Sequence, residues 1–133
     1  MKKYKAYILL LSVLIIIAII WNAITEPGIK DLKSDFKEVA FIRNEQNTGP
    51  VIRIYAVSLN SENWKEMEQY GNYMPHTKYG TTRIYFFLNK SELPDELNFG
   101  EINIAEQYKK NCIALYEKDG MSQISMRRYP FRN

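Results

Sequence analysis

Cysteine and histidine are almost missing from this chain: Cys112 and His76 stand alone among 133 residues. A single cysteine cannot close an internal disulfide, so packing alone must hold whatever folds. A single histidine excludes multi-histidine metal sites. The spacing of the acidic residues does not follow the calcium-loop pattern, and the sequence carries no phosphate loop, nucleophile elbow or zinc motif. No catalytic residue, cofactor or metal is therefore expected. Charge is missing as well over one long stretch, because no Asp, Glu, Lys or Arg occurs from Ala6 to Thr25.

That uncharged run is the strongest signal present. About 20 residues of helix span roughly 30 Å, the hydrocarbon thickness of a bilayer. In lipid the backbone must satisfy its own hydrogen bonds, so a helix is the only form a single span can take. Lys2, Lys3 and Lys5 precede the run, whereas Glu26, Lys30, Asp31, Lys33 and Asp35 after it nearly cancel. The positive-inside bias predicts a cytoplasmic N-terminus (1–5), a transmembrane anchor (6–25) and export of everything beyond. Trp21, Tyr4 and Tyr7 fit the interfacial aromatic belts. The rival is a cleaved signal peptide, which shares the basic start and apolar middle. Ala23 as the last residue before cleavage would place the bulky Trp21 third-last, which favours the anchor. With no cysteine near the start, an acylated lipoprotein is not expected.

Three of the 18 basic residues are those leading lysines, and the fifteen that remain match the fifteen acidic residues. The net charge of +3 is thus a topology signal, and a nucleic-acid footprint is not expected. Frequent Ile, Lys and Asn fit a low-GC, bacterial gene. About 108 residues follow Thr25, enough for one small domain with a real core. It holds eight of the ten tyrosines, all six phenylalanines and Trp64.

Pro27 and Gly28 should end the membrane helix. Ile29, Leu32, Phe36 and Val39 recur at helical spacing, so residues 26–35 read as a juxtamembrane linker with a short amphipathic turn. A domain over 36–133 follows. Residues 37–43 and 51–58 alternate as strands around turn chemistry at Asn47, Thr48 and Gly49. Asn60 or Ser61 should cap a helix whose apolar stripe is Trp64, Met67, Tyr70 or Gly71, and Met74, with Pro75 stopping it. The run from Thr82 to Asn89 is apolar on both faces, which places it centrally in a sheet, and the helix before it could be a crossover between parallel strands. Residues 91–101 read as loop, and 104–111 as a short helix. Asp119-Gly120 between 112–118 and 121–129 is a strong hairpin signal. The expectation is an α+β domain of two layers, a mainly antiparallel sheet of about five strands with one or two helices on one face, in a ferredoxin-like or split crossover variant.

Candidate sites are few. Arg53, Tyr55, Arg83, Tyr85, Phe87 and Tyr116 could share one sheet face if their strands are neighbours; ordinary core under the helices is the stronger reading, and an aromatic-arginine binding surface is the alternative. Glu92, Asp95, Glu96, Glu101 and Glu106 form an acidic stretch with no basic residue between Ser91 and Glu106. Its complement is Arg127, Arg128 and Arg132, and the two patches could pair with each other or meet a partner. His76 lies in a loop, solvated or pH-responsive. Cys112 opens a strand and reads as a buried, inert thiol. The resulting expectation is a single-pass, N-in protein displaying a non-enzymatic interaction domain of accessory, assembly or immunity type to a protein partner. The alternatives are a small exported hydrolase or transferase, or a secreted protein after cleavage. Self-association through the span is disfavoured, since Ala6, Ser12 and Ala18 lack the close-packing spacing.

Overall fold

A computed structural model describes residues 2–25, 28, 32–44 and 49–132. The chain divides into two compact units, Met1–Lys30 and Asp31–Asn133. The first is helix α1, Lys2–Thr25, long and apolar enough to cross a membrane, a criterion that a signal sequence also satisfies. Apolar side chains lie on every side of it, so it has no wet face. The Ser12 hydroxyl donates to the Ile8 carbonyl at 2.9 Å, which satisfies the helix's one serine within its own backbone. Pro27 and Ile29 lie outside the described residues, as do residues 45–48 of the first hairpin turn.

The second unit runs β1 (Lys37–Arg43), β2 (Ile52–Leu59), α2 (Trp64–Tyr73), β3 (Thr81–Leu88), α3 (Glu106–Lys109), β4 (Cys112–Lys118) and β5 (Ile124–Arg128). The five strands form one sheet in sequential order. β2 and β3 pair in parallel, and the other three pairs are antiparallel. The arrangement is α+β with a mixed sheet. It is not a split crossover, because β2 and β3, joined through α2, are direct neighbours with no strand between them. The ferredoxin-like expectation fails for the same reason.

β3 is central, as its two apolar faces require. Tyr55, Val57, Ile84, Phe86 and Tyr116 line one face beneath Met67 and Tyr70 of α2. Ile54, Ala56, Tyr85, Phe87 and Leu115 line the other. The helices were expected on one face, but only α2 lies on the first. The second is covered by the long 89–105 connection, through Leu93, Leu97 and Ile104, and by Tyr108 of the four-residue α3. A sheet whose central strands are apolar on both sides needs cover on both, and one ten-residue helix supplies only half of it.

Local chemistry moves several boundaries. Asn63, not Asn60 or Ser61, caps α2, its Oδ1 accepting from the Glu66 amide at 3.1 Å. Glu66 in turn accepts from the Lys33 and Ser34 amides at 2.8 and 2.7 Å. This clasp holds the start of the domain in an irregular path instead of a helical turn, with Leu32 and Phe36 against the core and Phe36 stacked on Tyr70 at 4.7 Å. The last hairpin lies where Asp119-Gly120 predicts but is not a two-residue turn. Asp119 Oδ1 accepts from the Met121 and Gln123 amides, both at 2.9 Å, and Ser122 takes the positive φ of 61°. That side-chain bonding stretches the connection across 119–123, so β5 starts at Ile124.

Candidate functional site

Strand register decides which candidate residues meet. In the parallel pair Arg83 lies opposite Ile54 and Tyr85 opposite Ala56, while Arg53 is opposite Thr82 and Tyr55 opposite Ile84. Paired residues share a face, so the alternative of a single aromatic-arginine surface fails: its members are split between the two sides of the sheet. Arg53, Tyr55 and Tyr116 take the α2 side; Arg83, Tyr85 and Phe87 take the other. Phe87 and Tyr116 are fully buried core. Tyr55 is buried under Phe41, stacked at 4.6 Å, and burial raises its hydroxyl pKa. Arg53 Nη1 donates to Thr77 Oγ1 at 2.6 Å and so ties the loop after α2 to β2.

On the opposite face, polar residues gather around Asn103. Its Oδ1 accepts from the Tyr85 hydroxyl at 2.7 Å and from Arg83 Nη1 at 3.3 Å. Its Nδ2 donates to the carbonyls of Asn98 and Gly100 at 2.8 and 3.1 Å. Arg83 Nε also bonds Glu117 Oε2 at 2.5 Å. Burial pushes the Tyr85 hydroxyl up to about 12, so it stays a donor. Sequence offered no cue to Asn103, since an isolated asparagine in a loop looks like any turn residue. Its use comes from lying buried across from Tyr85. The network floors a cleft of about 380 Å³ that Arg83, Glu101, Asn103, Glu117 and Arg127 line.

The basic and acidic patches do not pair with each other. Among the described residues, Arg127, Arg128 and Arg132 have no carboxylate within ion-pairing distance, although Glu101 shares the cleft with Arg127. Arg127 opens toward the cleft. Arg128 lies over the Trp64 ring at 4.7 Å, and Arg132 over the Tyr129 ring at 4.2 Å. Trp64 and Tyr129 meet edge to face at 5.7 Å, and the Tyr129 hydroxyl donates to Glu62 Oε1 at 2.6 Å. Glu92, Asp95 and Glu96 are exposed on the 89–105 connection, which buried Pro94 and Leu97 anchor. Trp64 and Tyr129 were legible only as apolar positions; their role as platforms for arginine depends on α2 lying beside β5.

The two reactive candidates are built into the fold. Cys112 is 1% exposed, donates from Sγ to the Ala114 carbonyl at 3.3 Å, and is pushed up to about 12 by burial. Burial favours the neutral thiol over the thiolate. His76 Nδ1 meets Thr82 Oγ1 at 2.9 Å, and that hydroxyl donates to the Pro75 carbonyl. Nε2 is buried without a hydrogen-bond partner. Burial lowers the pKa of His76, and Lys118 and Arg53 add to the effect; the Asp119 backbone and its carboxylate pull it upward less strongly.

No protein family, curated protein or solved structure matches the chain.

Proposed function

We propose that this chain is a single-pass membrane protein that keeps its N-terminus in the cytoplasm and displays its α+β domain on the far side as a protein-binding module. The observation that carries the reading is helix α1, whose uncharged run 6–25 is apolar on every side over the length of a bilayer core and follows Lys2, Lys3 and Lys5 in the helix's first turn. The binding role rests on the open β5 edge, where Arg128 and the following Arg132 lie over aromatic rings, the composition of an interaction hot spot. The polar groups that could serve a reaction are committed to the fold instead: Glu117 to Arg83, Tyr85 to Asn103, and the Cys112 thiol to burial.

Alkaline extraction of membranes tests the anchor. The full-length chain should stay in the pellet, and a mature protein beginning near Glu26 in the soluble fraction would replace the anchor by a cleaved signal. In the same cells the exported domain should capture a partner by cross-linking. A purified protein that turns over a small substrate, losing activity on substitution of Glu117 or His76, would overturn the binding role.

A further inference from the structure

Each sheet has two edges, and an uncovered edge presents unpaired backbone donors and acceptors to any extended chain. β1 blunts its edge in the usual ways. A register irregularity between Glu38 and Ala40 interrupts its ladder, and its charges alternate in sign across Lys37, Glu38 and Arg43. β5 does neither. Its pairing with β4 is regular from Lys118↔Ile124 to Ala114↔Arg128. The Tyr129 amide donates to the Ile113 carbonyl, and the Gln123 carbonyl accepts from the Asp119 amide. Alternation then turns the backbone groups of Ile124, Met126 and Arg128 to the open side.

The side chains at that edge are of one sign. Arg127 reaches the cleft face and Arg128 the α2 face, and Arg132 follows; none has an ion-pair partner among the described residues. Edge cations that serve only to prevent aggregation are expected to be solvated and mobile. Arg128 and Arg132 are instead held over Trp64 and Tyr129, which fixes their guanidinium planes before any ligand arrives. A strand added beside β5 would alternate its side chains between the same two faces. Two successive carboxylates on it would meet Arg127 and Arg128.

We propose that β5 is a docking edge for an acidic, extended segment of a partner protein, which adds as a sixth strand with consecutive carboxylates against Arg127 and Arg128. This deepens the binding-module reading and rests on it. The backbone supplies the pairing, and the arginines on both faces select acidic partners and fix the register.

The test uses the full chain in zwitterionic nanodiscs and a fluorescent octapeptide, Thr-Val-Thr-Glu-Glu-Val-Thr-Val. The peptide should bind, weaken with added salt, and lose about tenfold or more in affinity against the R127E/R128E double variant. Both positions are exposed, so the variant should keep the wild-type circular dichroism. Methylating the peptide's alternate backbone nitrogens that face β5 should abolish binding without touching the protein. Equal binding of a Lys-Lys peptide or of the methylated peptide, or binding unchanged by R127E/R128E, overturns the assignment. So does no peptide binding while phosphatidylglycerol vesicles are captured. In cells, a photoreactive residue at position 124 should cross-link the partner. Cross-links from other surfaces only would overturn the edge and leave the binding module standing, whereas no cross-link from any surface would overturn the module itself.

Discussion

Replacing Gly71 by alanine sets two effects of opposite sign against each other. Gly71 lies inside α2, where alanine is normally better than glycine by roughly 0.5–1 kcal/mol, because glycine loses more backbone entropy on folding. Here a Cβ at position 71 would sit 2.5 Å from ring carbons Cε2 and Cγ of Tyr116, against a carbon contact distance of about 3.5–4.0 Å. The ring cannot yield easily. Tyr116 is 0% exposed, and its hydroxyl donates to Asn72 Oδ1 at 2.8 Å from the same helix. Overpacking of this kind costs about 1–3 kcal/mol, so the overlap outweighs the propensity gain and leaves a net loss of roughly 1–2 kcal/mol. For a domain near 100 residues, each kcal/mol lowers the midpoint by about 4–8 °C. Thermal and urea unfolding of the full chain in detergent would measure it. Tyr116→Leu should relieve part of the clash, so the double variant should lose less than the two single losses combined. Equal or higher stability of Gly71→Ala would refute the close contact between α2 and β4.

Three further outcomes follow from the same packing. Asn103→Ala removes four hydrogen bonds at a 3% exposed position and leaves the buried Tyr85 hydroxyl without its acceptor. The loss should be about 2–4 kcal/mol, with faster hydrogen exchange at the Asn98 amide, which bonds the Asn103 carbonyl. Because His76 is depressed in the folded state, the unfolded chain binds more protons below its ordinary value of about 6.5. The contribution of His76 to stability is therefore complete above that pH and falls away as pH drops through the folded value; His76→Gln should flatten this part of the urea-midpoint profile, and an unchanged profile would refute it. Cys112 should resist thiol reagents in the native protein and react only at the rate of opening, so rapid native labelling would contradict its burial.

Much of the fold was legible because its signals were local. The α2 stripe of Met67, Tyr70 and Gly71, the two-faced β3 and the position of the last hairpin all follow from spacing within one segment. What could not be read depended on other segments. A one-residue offset between β2 and β3 puts Arg53 and Arg83 on opposite faces, and nothing within either strand fixes that offset. The Ser91–Glu106 stretch reads as a solvated loop from its carboxylates, yet Leu93, Leu97 and Ile104 at wider spacing make it the cover of a sheet face. Phe131 stacked on Tyr85 at 5.9 Å is another such contact, made by a chain end with no pattern of its own. For the candidate site, the arginines at 127, 128 and 132 were visible as a cluster, but their aromatic supports and the open edge beside them were not.

The most direct test of the account joins anchoring and sidedness in one measurement. With Cys112→Ala as background, a cysteine placed at the exposed Lys90 is labelled in intact cells with a membrane-impermeant maleimide, and the membranes are then washed at alkaline pH. Full-length, labelled protein should be found in the alkaline pellet. Label acquired only after lysis, or labelled protein released by the wash, would contradict it.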